Sequence, residues 1–185
     1  VVTALEDKRD ESVRDLRRYF CENAPVNQRY AGRRFNHVAP PGDAHAAQNQ
    51  ITTGDVLSLT FLSIRNKLPE LTLAVLEVHT ERISALLAQI PADLPMHEAD
   101  WSHFAPGSPA AQLWELLRTC AGRNRWVTAY KLLARKRPHL LPVYDRQVAG
   151  VLGGLRSAWP CLWSWFQENP GRAVGLAALR AEVDG

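Results

Sequence analysis

Arg118 to Val148 reads RTCAGRNRWVTAYKLLARKRPHLLPVYDRQV and carries eight Lys/Arg (Arg118, Arg123, Arg125, Lys131, Arg135, Lys136, Arg137, Arg146) against the single acid Asp145. Its balance of +7 exceeds the +3 of the whole 185-residue chain, so the remainder is net acidic and the positive charge is local. A local basic concentration of this kind suits contact with an anion such as a nucleic-acid backbone. The alternative is a solvated helix face.

The same residues alternate helix and turn. Ser108-Pro109 reads as an N-cap with proline at the first helical position, and Leu113, Leu116, Leu117 and Cys120 form one apolar face behind it. Gly122 closes that helix. After the turn Arg123-Asn124-Arg125, Val127, Ala129, Leu132 and Leu133 give a second helix its apolar side, with Lys131 and Arg135 one turn apart elsewhere on it. Pro138 stops this helix and Pro142 keeps the connection extended. Asp145 then stands where a third helix, carrying Val148, Val151, Leu152 and Leu155, begins.

Thr128-Ala129, Leu132-Leu133, Pro142, Asp145, Val148 and Val151-Leu152 together resemble the catalytic core of the helix-hairpin-helix DNA glycosylases. That family's pattern is a Gly-rich hairpin, T-A, an apolar helix, then P-x-x-D-x-x-V-x-x-V-L. The resemblance covers residues 122–152, and it is to the adenine-excising branch that the run aligns without a gap. It implies a fold of two packed helical lobes, residues 123–129 gripping a DNA phosphate through hairpin N–H groups, and Asp145 facing the sugar of a flipped nucleotide. Arg123 and Arg125 stand where the family has its hairpin glycines. Val127 occupies the position of the nucleophilic lysine of the bifunctional branch, and Lys131, read as lying on a different face, does not replace it. The four-cysteine iron–sulfur cluster of the adenine-excising branch cannot be built from three cysteines. The segment ARKRPHLLPVYD, residues 134–145, also resembles an uncharacterised actinobacterial family with an A-R-K-R-P-x-L-x-P-V-Y-D signature.

Cys21, Cys120 and Cys161 are odd in number and far apart, which argues against a disulfide framework or zinc site and for a reducing, cytoplasmic setting. Neither a signal peptide nor a long apolar run is apparent, and the start at Val1-Val2 without Met suggests a trimmed chain. With 46% apolar and 22% charged residues, the composition is that of an ordinary globular protein.

Residues 1–50 divide into a surface helix, with Val13, Leu16 and Phe20 as its sticky side, and a mobile loop around Pro40-Pro41-Gly42. Between them NQRYAGRRF, residues 27–35, mixes Arg29, Arg33 and Arg34 with Tyr30 and Phe35. That composition suits stacking on bases and pairing with phosphates, or equally a solvated segment with two anchoring aromatics. Residues 51–185 form the helical core as one compact unit, with the hairpin-like segment at 108–152. Its first helix is capped by Thr53, and Asp55 either lines the pocket, as in some glycosylase branches, or offsets the helix dipole.

From Glu70 to Gln89 the spacing puts Leu71, Val75, Val78, Ile83, Leu86 and Leu87 inward, with Thr80 an internal cap. His97, Asp100 and His103 lack regular phase and read as chance polar residues rather than metal ligands. Trp159, Trp163 and Phe166 form an aromatic stripe that packs a terminal helix on the core, with Trp165 on another side; a base-stacking platform is the alternative.

The chain is therefore expected to be all-α, with the hairpin and its Pro–Asp turn forming one lobe and the helices from Thr53 to Gln89 the other. Its expected function is monofunctional DNA glycosylase-like action on a flipped base, with Asp145 catalytic and Tyr144 and Asp55 lining the pocket. Tyr144 is equally compatible with a buried position. Arg123, Arg125, Lys131, Arg135, Lys136 and Arg137 are the backbone contacts, duplex DNA or another polyanion is the partner, and no metal, cofactor or membrane contact is expected. The rivals are a non-enzymatic nucleic-acid-binding module on the same scaffold and a helical protein that meets another anion. For Asp145 itself the simplest reading is an N-cap, which does not exclude catalysis.

Overall fold

The computed structural model describes residues 9–21, 24–38, 47–120, 125–152 and 158–184, and every regular element among them is helical. Among the described residues nine α-helices follow in order: α1 (Arg9–Phe20), α2 (Thr53–Phe61), α3 (Leu68–Leu73), α4 (Thr80–Leu87), α5 (Pro109–Cys120), α6 (Trp126–Lys136), α7 (Arg146–Val151), α8 (Ala158–Glu168) and α9 (Gly171–Asp184). Three short 3-10 turns, Val26–Gln28, Ala31–Arg34 and Trp101–His103, lie between them, and α3 continues as a π-helical turn through Ala74–Val78. None of these helices is long and apolar enough to cross a membrane. The Pro40-Pro41-Gly42 loop, Gly122, Arg123 and Leu155 fall outside the described residues.

α6 is the central helix. Every residue from Thr128 to Lys136 is buried, with α2 on one flank and α5 on another. Leu113 and Leu117 of α5, Leu132 and Leu133 of α6, Leu59 of α2 and Ile83 and Leu87 of α4 meet in one core with almost no solvent contact. Each such side chain contributes roughly 1.5–3 kcal/mol by leaving water. Phe35, far upstream, is buried in the same core, as is Trp159 on α8.

Local signals set most of the ends. Ser108 caps α5 by accepting the Ala111 N–H at 3.2 Å, with Pro109 in the first turn, and α6 ends one residue before Arg137-Pro138. The cap of α2 lies one residue earlier than expected. Thr52, not Thr53, accepts the Asp55 N–H, and Asp55 returns a carboxylate oxygen to the Thr52 N–H at 2.9 Å, completing a capping box. Thr80 is no cap either; its hydroxyl donates to the Val75 carbonyl across the π turn.

Two apolar assignments also change. Val78 is 71% exposed because the π turn rotates it off the inward face. Val151, at the end of the short α7, is exposed as well, whereas Trp165 lies apart from the stripe as expected, buried under the Arg172 guanidinium. Trp159 is buried in the core, while Trp163 and Phe166 pack against it, with the Trp163 indole donating to the Ala99 carbonyl at 2.8 Å.

Candidate functional site

The basic run divides in two. One part, Arg135-Lys136-Arg137, is almost completely buried, and so is Asp55. Arg135 Nε donates to Asp55 Oδ1 at 3.0 Å, and its other nitrogens reach the carbonyls of Phe35 and Val38. Lys136 Nζ lies 3.2 Å from Asp55 Oδ2 and 2.7 Å from the Ala47 carbonyl. Arg137 donates to the carbonyls of Gln48, Leu87 and Ile90 and to the Asn49 side chain.

The three cations thus clamp the backbone of 35–38, 47–49 and the end of α4 onto α6. Irregular segments leave carbonyls without partners, and the forked guanidinium supplies several donors at once in a dry place. Burial lowers the Lys136 ammonium below its usual range; Asp55 opposes this, while Arg137 and Arg135 add to it. Burial lowers Arg137 too, with Asp93 opposing. These residues present nothing to a DNA backbone, and Asp55 lines no open pocket; both expectations are corrected. Tyr144 is likewise buried, its ring 5.2 Å from Tyr130 and 5.7 Å from Trp126.

Arg125, Lys131 and Arg146, which flank that buried trio in sequence, border an open cleft of about 650 Å³ lined also by Ser63, Ile64, Trp126, Val127, Thr128, Asp145 and Gln147. Asp145 sits at its edge as the N-cap of α7. Its Oδ1 accepts the N–H groups of Gln147 and Val148 at 3.0 and 3.2 Å, and its Oδ2 lies 3.3 Å from Lys131 Nζ. Lys131, nearly buried, also donates to the Leu62 carbonyl at 2.8 Å. Partial burial would raise the Asp145 pKa, but the Val148 N–H, the Lys131 ammonium and the Gln147 N–H outweigh it, and the net shift is downward. The group is therefore a carboxylate at neutral pH and no general acid there.

The N-terminus of α6 opens into the same cleft. Arg125 provides no side-chain cap for it, and the positive end of the helix dipole lies at this edge of the cleft. Thr128, only 4% exposed, also lines the cleft. The Arg125 charge acts on the Glu70 carboxylate, but among the described residues no carboxylate lies within ion-pair distance of Arg125 or Arg146. Ser63, on the opposite wall, has φ 64°, a left-handed conformation that costs a serine about 1–2 kcal/mol.

Asp145, Arg125 and Lys131 are thus brought together, Arg123 lies outside the described residues, and Asp55, Tyr144, Arg135, Lys136 and Arg137 are elsewhere. Lys131 lies one turn after Val127, and both line the cleft, instead of occupying separate faces. Ser63 and Arg146 are additions to the expected site, while Trp126 and Thr128 belong to the 123–129 stretch that the resemblance assigns to phosphate contact. Trp126 had one signal: an aromatic opening a helix directly after a basic turn.

No group of three or more His, Cys, Asp or Glu side chains converges as a metal site among the described residues. The His97 ring lies tilted 5.9 Å from Phe166 and 3.4 Å from the Glu98 carboxylate, while Asp100 accepts the Ser102 N–H.

No curated protein and no solved structure matches the chain. A family model described as "Family of unknown function (DUF6308)" matches residues 12–185, nearly the full length, and the chain belongs to that family.

Proposed function

We propose that the protein binds DNA in the cleft at the start of α6 and cleaves the N-glycosidic bond of a nucleotide extruded into it. One observation carries this reading: an ionised carboxylate, Asp145, shares a single open cleft with the uncapped N-terminus of α6 and the guanidinium groups of Arg125 and Arg146. A helix N-terminus with flanking arginines suits a phosphate. Trp126, half-buried in the wall, offers a ring to an unstacked base.

The packing of α5 against α6, followed by a connection that turns at residues 138–141 and an aspartate that caps α7, supports a helix-hairpin-helix glycosylase-like reading. In such a reaction water oxygen bonds to C1′ as the C1′–N bond breaks, and the base leaves with its electron pair and a proton. Positive charge builds on the sugar, and Asp145 stabilises it. Its depressed pKa suits this electrostatic role better than proton abstraction.

The test is abasic-site formation on a panel of mismatched, deaminated and alkylated duplexes, scored by alkaline strand scission. The wild-type protein is expected to act on at least one, and Asp145→Asn to lose roughly 100-fold or more while keeping its helix content. Equal activity in Asp145→Asn would remove the catalytic assignment. A non-enzymatic nucleic-acid-binding module is the second reading, favoured by the three donors that already occupy Asp145. It predicts salt-sensitive DNA binding by a wild-type protein that forms no abasic sites.

A further inference from the structure

Arg14, Arg17, Arg18 and Cys21 recur at the spacing of one helical face on α1, and the described residues between α1 and the core add Arg29, Arg33 and Arg34. Amid these guanidiniums two aromatic rings stand open, Tyr30 at 45% and Phe20 at 44% exposure. Tyr30 is stacked on Tyr19 at 5.4 Å with ring planes 25° apart, and Tyr19 in turn meets Phe20 edge-on at 5.0 Å. A hollow of about 620 Å³ lies beside them, lined by Arg17, Arg18, Cys21, Ala24, Gln28 and Tyr30.

The platform is anchored. A side chain at Gly32 would run into the Tyr19 hydroxyl and approach Leu62 to 3.1 Å, so the turn Ala31–Arg34 packs closely between α1 and the core only because glycine stands there. Phe35, next in the chain, is buried, and Arg135 holds its carbonyl. Arg17 is steadied by the Glu182 carbonyl at 3.0 Å and Arg29 by the Ala24 carbonyl at 2.6 Å. Among the described residues no carboxylate pairs with Arg14, Arg18 or Arg34.

We infer that this face binds single-stranded nucleic acid, with an unpaired base stacked on Tyr30 and flanking phosphates held by Arg18 and Arg34. Rings pre-stacked in a fixed pair present a rigid π-face at little entropic cost, and guanidiniums on neighbouring elements can pair with the phosphates of a flexible strand. A duplex keeps its base faces closed, and an acidic peptide has nothing to place on the ring. The inference stands independently of the cleft. Leu62 touches Gly32 on one side and, through its carbonyl, holds Lys131 on the other, so the two surfaces are neighbours across Leu62–Ile64.

The experiment is fluorescence anisotropy of a short labelled oligothymidylate with the full chain at a series of salt concentrations. Tyr30→Ala is expected to weaken binding roughly 5- to 150-fold, while Tyr30→Trp retains it. Arg18→Ala and Arg34→Ala, both at exposed positions, each make the slope of log affinity against log salt shallower by about 0.7. Tyr30→Ala is expected to weaken single-strand binding more than Arg125→Ala does, which separates this surface from the cleft. The inference is overturned if the wild-type protein does not bind oligothymidylate at low salt, or if the loss follows Arg125→Ala alone. It is overturned equally if polyglutamate competes as well as an unlabelled strand, or if both arginine variants bind with wild-type affinity and slope. Should Tyr30→Ala fail to fold, Tyr30→Trp and the arginine variants decide.

Discussion

Two parts of one basic run meet opposite fates. Arg135, Lys136 and Arg137 are sealed around Asp55 and a set of backbone carbonyls, whereas Arg125 and Arg146 border an open cleft whose carboxylate, Asp145, is partly solvated. The difference follows from position along α6. Its N-terminus, which has no side-chain cap, faces the cleft; its C-terminal turn faces loops rich in unpaired carbonyls, which draw cations inward. Charge in a sequence therefore reports how much positive potential a segment carries, not whether solvent sees it.

The contrast is broken most severely at Asp55. Asp55→Ala leaves Arg135 and Lys136 buried without their carboxylate and is expected to cost about 3–5 kcal/mol, read by urea unfolding. A change under about 1 kcal/mol would mean that solvent reaches the clamp. Next comes Asp145→Ala, which removes the cap of α7 and the partner of Lys131 and is expected to cost about 0.5–2 kcal/mol.

The sign of its pH dependence is fixed by the depressed pKa. The Asp145 contribution is fully present above the unfolded carboxylate value of about 3.9 and is lost as pH falls through the lower folded value. The stability gap between wild type and Asp145→Ala should therefore narrow below about pH 4. A gap that widened in acid would contradict the pairing with Lys131. Smallest in stability are Arg125→Ala and Arg146→Ala, expected within about 0.5 kcal/mol of wild type because neither lies within ion-pair distance of a described carboxylate.

Much of the helical order was legible because caps and stops are local. Ser108-Pro109, Pro138 and Asp145 each mark an end through their own chemistry, and the structure places helix boundaries at or beside them. The clamp was not legible. Lys131 and Arg135 lie one turn apart, as an exposed stripe would, and only the long-range contacts of Arg135 with Phe35, Val38 and Asp55 reveal that the stripe faces inward.

Asp55 shows the same limit: the sequence marks it as a first-turn acid, while its two cationic partners lie some eighty residues downstream. The cleft was half legible. Asp145 and Arg125 stood out by charge and spacing, whereas Ser63 enters only when α2 and α6 are brought together.

The most direct test of the cleft as a DNA site is duplex affinity across a salt series for wild type and the Arg125→Ala/Arg146→Ala double variant. Two lost phosphate contacts should make the slope of log affinity against log salt shallower by roughly 1.8, about 0.9 for each arginine, with stability nearly unchanged. Equal slopes for the two proteins, or a wild type that does not hold duplex at low salt, would contradict it.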